Sequence, residues 1–290
     1  MSSPRRPKAR TDAAPQITSA ERRRTLGESF SAQDLQQAQA YDALRPHYPD
    51  AAVSAVLGER LGADQSADHG ADEADLGIDA VDLGAGTGIL SRQLLAAGAR
   101  VTAVEPSVSM TAVLAEQAGP GPLTVVNAPA EETGLAGASF DVVAAAQAWH
   151  WFDPLRAQQE AARLLTPGGR LALLWNYIDT SDETAHRLTR IMRAGDVYRP
   201  GWAPALEASL FGSAQTTELR WSRRMTVEEI VGYAKTLSSW LSADEGERER
   251  RRRNLSDYLQ GELGLGDEAP VQVPMITAVH VAPVHRLQYS

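Results

Sequence analysis

Between residues 78 and 177 the chain alternates short, continuously apolar runs with helical ones, and few architectures accept that order. IDAVDLGAG is an apolar run ending in glycines; ILSRQLLAAGA after it has helical spacing and a glycine stop. ARVTAVEP and SVSMTAVLAEQAG repeat the pair. LTVVNA, FDVVAAAQA and GRLALLWNY are three further runs, and DPLRAQQEAARLLTPGG between the last two reads as a helix closed by Pro-Gly-Gly. Strands that are apolar throughout are covered on both faces, as parallel strands flanked by helices are. The pattern predicts a doubly wound α/β fold.

The flanks are simpler. SAQDLQQAQAYDALRPHYPDAAVSAVLGERLG predicts two helices split at Arg45-Pro46, because proline disfavours helix at the residue before it. Pro49 then falls near the first turn of the second helix, with Val53, Val56, Leu57 and Leu61 on one face. Residues 1–28 lack apolar periodicity and are expected to be a disordered basic leader; residues 63–77 are acidic, small and aperiodic, an expected loop. After Tyr177 the alternation stops. Residues 181–262 are expected to be mostly helical, with a possible strand at TELRWSRRMT. VQVPMITAVHVAPV, within 263–290, reads as a final sheet-edge strand. One domain over 29–290 is expected: 29–62 the N-terminal lid helices, 78–180 the sheet core that would hold a cofactor, and 181–262 the substrate and lid region.

Composition narrows the chemistry. The chain has no cysteine, which removes disulfides, thiolate zinc sites, iron–sulfur clusters and cysteine nucleophiles. No apolar run approaches the roughly 20 residues of a membrane helix, and MSSPRRPKAR is followed by no apolar stretch of a secretory signal, so a cytoplasmic protein with no membrane partner is expected. Residues 1–24 carry seven Lys/Arg against two Asp/Glu, leaving an acidic body within a net charge of -9. An acidic body is a poor platform for phosphate contacts, which disfavours nucleic acid. GERERRRRN, charged on every side, reads as a solvated helix.

The sharpest local signal is Asp82-Leu-Gly84-Ala-Gly86-Thr-Gly88, where the first strand turns into the first helix. Glycines there permit a tight path and let a ligand approach the main chain. Glu105 follows about 20 residues later at the end of the second strand, where a carboxylate accepts from both hydroxyls of a ribose. The third glycine comes one residue too early for a dinucleotide fingerprint, and Gly-Lys-Ser/Thr is absent. Asp82 would repel a pyrophosphate and suits a cationic or zwitterionic ligand. An NAD-type oxidoreductase is thus the weaker alternative.

VDLGAGTG followed by VEPSVSM resembles motif I and the acidic motif of class I S-adenosylmethionine-dependent methyltransferases. The resemblance continues in order through NAPAEETGLAGASFDVV, AQAWHWFD and LTPGGRLALLWN, over roughly residues 36 to 180. It is closest to a small-molecule branch that includes trans-aconitate-type methyltransferases, through Tyr41, Arg45, Pro46, Tyr48 and Pro49. The resemblance implies a Rossmann-like sheet of about seven strands, S-adenosylmethionine as cofactor and a small-molecule acceptor. It also implies that Gly84, Gly86 and Gly88 lie against the methionine part, with Asp82 at its amino group and Glu105 on the ribose. Pro106, Met110, Ala130 and Glu131 would border the adenine, Gln147 and Trp149 would close the methionine side, and Tyr41 would sit on a lid above. Asn127-Ala128-Pro129 departs from the glycine and small polar residue usual in the branch.

In-line methyl transfer needs alignment more than a fixed catalytic group. His150, in Trp149-His150-Trp151-Phe152, is the candidate base or orienting donor, set against a role as anchor of an aromatic cluster. Trp149 and Trp151 point to opposite sides of an extended chain, so one of them faces the substrate. Arg45 is a candidate for gripping a substrate carboxylate, or a cap on a helix turn, with Tyr48 beside it. A catalytically silent cofactor-binding protein keeps the same motifs and stays open. Trp202, Phe211, Trp221, Tyr233 and Trp240 are expected to be mostly core.

Overall fold

The computed structural model describes residues 34–58, 77–195 and 197–285. The basic leader, Leu61 and nearly all of the acidic stretch at 63–77 lie outside the described residues. Helix α1 (Leu35–Leu44) opens with a capping box between Asp34 and Gln37 and ends at Arg45, which is extended ahead of Pro46. Helix α2 (Asp50–Leu57) starts after Pro49 and buries Ala52, Val53, Val56 and Leu57. Both helices, and the break between them, follow the sequence expectation.

The core alternates as expected: β1 (Asp79–Leu83), α3 (Ile89–Ala96), β2 (Arg100–Val104), α4 (Val108–Gln117), β3 (Leu123–Val126), β4 (Phe140–Ala146), α5 (Pro154–Leu164) and β5 (Leu165–Ile178). The remainder runs α6 (Glu183–Met192), β6 (Gln215–Met225), α7 (Val227–Lys235), α8 (Ser238–Leu241), α9 (Glu245–Ser256) and β7 (Val271–Pro283). The seven strands form one sheet in the order β3-β2-β1-β4-β5-β7-β6. The first five are parallel; β7 is antiparallel to both β5 and β6.

Strand side chains sort by alternation. Ala80, Val142, Ala144, Ala172 and Leu174 pack with α2 and α3 on one face. Val81, Leu83, Val143, Ala145, Leu171 and Leu173 pack with α5 on the other. Burying both sets explains why these strands read as continuous apolar runs.

Two expectations need correction. β7 is not the sheet edge: it lies between β5 and β6, hydrogen-bonded on both sides, and Met275 to His280 are all buried. The edge is the polar strand β6, QTTELRWSRRM, whose exposed charges suit an unpaired side. Helix α5 ends before Pro167-Gly168-Gly169 rather than on it, since the chain is already extended at Leu165. The solvated helix α9 has one buried cation, Arg251, donating to the Ser239 carbonyl and to Glu247. No described helix is long and apolar enough to cross a membrane.

Candidate active site

After β1 the chain runs outward to β2 and β3, then crosses back to β4 on the other side of β1. Such a reversal opens a crevice at the carboxyl ends of the strands, where ligands bind in open α/β sheets. A cavity of about 320 Å³ lies there. Its floor is the Gly84–Thr87 turn with Glu105 and the residues after β4; its roof comes from Tyr41, Arg45 and Tyr48 of the strap formed by α1, α2 and their link. The far wall is Asn176, Tyr177 and Ile178 at the end of β5, with Tyr233, Leu237 and Ser238.

The glycines of the turn serve different ends. Gly86 has φ +57 and a side chain there would point into open space, so its backbone is bare toward the cavity. Gly84 also lines the cavity. Gly88 does not. It has φ +83 and precedes α3, and a Cβ on it would lie 2.6 Å from Leu114 Cγ on α4, so its absence of side chain lets two helices approach.

Two carboxylates flank the turn. Asp82 is 1% exposed; its Oδ2 accepts from Ser91 Oγ at 2.6 Å, and its Oδ1 has no partner among the described residues. Burial lifts its pKa to about 7, with the Ser91 hydrogen bond pulling down and Glu105 pushing up. Glu105 accepts from Gly86 N–H at 3.0 Å on one oxygen and Ser107 N–H at 2.9 Å on the other. Burial raises its pKa while those two bonds pull it back. Asn127, at the departure from the family pattern, donates to the Glu105 carbonyl at 3.1 Å and to Thr111 Oγ1 at 3.2 Å. It braces the strand end that carries Glu105.

Pro106, Met110, Ala130 and Glu131 line the same wall. Glu131 also accepts from the Asp153 N–H at 2.7 Å, tying the wall to the start of α5. Gln147, at the end of β4, has φ +57, an uncommon conformation for a residue with a side chain. It is held by its N–H on the Leu174 carbonyl and its Nε2 on the Asn176 carbonyl, both at 2.9 Å. Backbone strain of this kind collects at functional sites.

Trp149, His150 and Trp151 form one turn of 3-10 helix rather than an extended chain. Trp151 and His150 line the cavity, while Trp149 is buried and meets Phe152 edge-on, with centroids 5.8 Å apart. His150 Nδ1 accepts from the Trp175 indole at a long 3.5 Å. An indole N–H only donates, so at this contact Nδ1 is the acceptor. Arg45 lies over the Tyr41 ring at 4.7 Å and donates to the Thr236 carbonyl at 2.8 Å, latching the strap to the end of α7. Arg223 adds a second latch on the Leu44 carbonyl at 2.6 Å. Buried Tyr48 has its N–H and carbonyl bonded to Gln93, at 2.9 and 2.6 Å.

Sequence reasoning missed Asn176, Ser238 and Leu237 as wall residues. Asn176 carried a signal, a polar residue inside the apolar run LALLWNY; it is buried, donates to the His47 carbonyl and accepts from Thr277. Of Trp202, Phe211, Trp221, Tyr233 and Trp240, Tyr233 lines the cavity. Phe211 and Trp240 are buried, Trp202 packs on Trp175, and Trp221 donates to Thr277, in line with a mainly core role.

Residues 81–173 match the model of a family described as a methyltransferase domain. An uncharacterised methyltransferase of Mycobacterium tuberculosis is 30% identical over 245 residues, covering 82% of this chain and 90% of that one. The chain belongs to this methyltransferase family. A demethylmenaquinone methyltransferase of Clavibacter sepedonicus is 30% identical over 167 residues, covering 56% of this chain and 63% of that protein. Among solved structures, a candidate type II methyltransferase from Anaeromyxobacter dehalogenans aligns with a TM-score of 0.56 at 28% identity, covering 82% of this chain and 97% of that one.

The methyltransferase is of the class I, S-adenosylmethionine-dependent kind. Its cavity fits that cofactor on its own terms. A buried carboxylate with an unpartnered oxygen, a second carboxylate steadied by two backbone N–H groups, and a bare glycine backbone suit a ligand with an ammonium and a ribose. The buried Thr87 hydroxyl, also without a partner among the described residues, adds a polar contact on the same wall.

Proposed function

We propose that this methyltransferase acts on a small-molecule acceptor, a carboxylate, phenol or activated carbon, and that one cavity holds both reactants. The observation that carries the reading is the pairing of Asp82 and Glu105 beside the bare Gly86 backbone, in a cavity also lined by Trp151, Tyr177 and Tyr233. Asp82 receives the amino group of the cofactor and Glu105 the ribose hydroxyls. Gly84 and Gly86 border the methionine part, Gln147 closes it, and Pro106, Met110, Ala130 and Glu131 enclose the adenine. The strap residues Tyr41, Arg45 and Tyr48 cover the site and support placing the chain in the small-molecule branch with trans-aconitate-type enzymes.

When bound, the cofactor supplies an activated methyl group on a sulfonium. The chain's own contribution is alignment and exclusion of water. His150 lines the cavity, where an imidazole N–H suits orienting an acceptor oxygen. Trp151 and Tyr177 give that acceptor a flat apolar surface. Arg45 latches the strap and remains at the cavity wall, where its guanidinium also suits an acceptor carboxylate.

Calorimetric titration with S-adenosylhomocysteine, with NAD in parallel, tests the reading. Saturable binding of the first alone is expected; binding of NAD, or of neither, overturns it. His150→Ala should leave S-adenosylhomocysteine affinity intact and slow transfer to an acceptor found by screening small carboxylic acids and phenols. Unchanged transfer would return His150 to a packing role.

A further inference from the structure

Asp82 sits on β1 and Ser91 on the first turn of α3, so the β1–α3 connection brings them together across the base of the glycine turn. Both are buried, Ser91 completely. The Ser91 hydroxyl has one proton to give, and it goes to Asp82 Oδ2 at 2.6 Å. The other oxygen, Oδ1, is without a partner among the described residues, and Asp82 lines the cavity. We propose that Ser91 is a positioning residue: by holding one oxygen of Asp82 it keeps that carboxylate aimed, and so selects ligands that carry an ammonium group over the same nucleoside thioether without one. The inference rests on the proposed reading of the site as one for S-adenosylmethionine.

The electrostatics favour it. The ionisable groups that Asp82 senses are Glu105 at the end of β2 and Tyr48 on the strap; Glu105 opposes its ionisation, and Tyr48 is itself pushed up by burial. Against burial and Glu105, the Ser91 hydrogen bond is the largest influence favouring the charged form. Its loss would move Asp82 further toward the neutral acid, which meets an ammonium less well, although the Ser91 backbone hydrogen bond would still favour the charge.

Calorimetry on the full chain separates this from a packing role, with three probes. S-adenosylhomocysteine carries the whole amino-acid arm, its decarboxylated amine keeps the ammonium alone, and methylthioadenosine has neither. Ser91→Ala should weaken both amine-bearing probes by about tenfold or more at neutral pH, the loss expected of one charge-assisted hydrogen bond, and leave methylthioadenosine unchanged. The lost affinity should return in part as pH is raised from about 7 to about 8.5, since alkali ionises Asp82 without help. Ser91→Cys, close in size but a weak donor, should fall between. Equal weakening of all three probes, or a loss that pH does not recover, would show that Ser91 only packs the helix. An unaffected Ser91→Ala variant would also overturn the inference. Failure of the parent chain to bind S-adenosylhomocysteine would instead overturn the reading of the site.

Discussion

Each oxygen of Glu105 already receives one backbone N–H, from Gly86 and from Ser107, before any ligand arrives. The carboxylate therefore shapes the glycine turn as well as facing the cavity, and its second lone pairs remain for hydroxyl donors. Glu105→Ala should cost affinity for S-adenosylhomocysteine by about 1.5–3 kcal/mol for each charged hydrogen bond lost, and lower the melting temperature as the turn loosens. Glu105→Gln puts an amide NH2 against one of two N–H donors, so it should weaken binding while keeping one tie to the turn. Calorimetry and thermal unfolding check both, and unchanged affinity in the alanine variant would remove Glu105 from the site. The two carboxylates were legible in the sequence because strand ends and spacing fix where they fall. The partnership of Asp82 with Ser91 was not, because a serine nine residues on, inside a helix, has no distinguishing pattern.

At the level of elements, the turn from β1 into α3 is built from glycines that look alike in sequence and differ in surroundings. Gly88→Ala meets Leu114 in a left-handed conformation, and should destabilise the fold by about 1–3 kcal/mol from crowding, with further backbone strain. Gly86→Ala carries the strain but points into open space, so its main effect should be on S-adenosylhomocysteine affinity. Thermal melts beside calorimetry distinguish the two; equal effects on both readouts would mean that the roles are shared. The strand–helix alternation was readable because each core strand is buried on both faces. The place of β7 was not, since an apolar run does not say which strands flank it. The 3-10 turn at Trp149–Trp151 escaped because three aromatic residues in a row have no periodicity to read.

For the molecule as a whole, two buried groups pull its stability in opposite directions with pH. Asp82 is raised from 3.8 to about 7, so its contribution is complete below pH 3.8 and is lost as pH rises through 7. His280, buried and bonded to Thr216, is lowered from 6.5 to about 4 by burial. Its contribution is complete above pH 6.5 and is lost as pH falls through 4. Between about pH 4 and pH 6.5 the unfolded chain holds one proton more at His280 and one fewer at Asp82, so the two slopes cancel. Asp82→Asn should therefore uncover a stability that climbs with pH over this window, and His280→Gln one that falls. Denaturant titrations at several pH values check the pair; parallel slopes in both variants would refute the cancellation.

The position of β7 has a consequence for how the protein is made. Synthesis delivers β5 some hundred residues before its neighbour β7, and β6 reaches the sheet only through β7. While the ribosome is still adding residues after Ile178, the outer side of β5, apolar and unpaired, has no strand to accept it. The nascent chain thus carries an open, sticky strand until its last described strand emerges. A premature stop between Ser238 and Val271 would leave every described residue of the cavity wall encoded but β5 without its neighbour, so such truncations should appear as aggregates rather than as weakened enzymes.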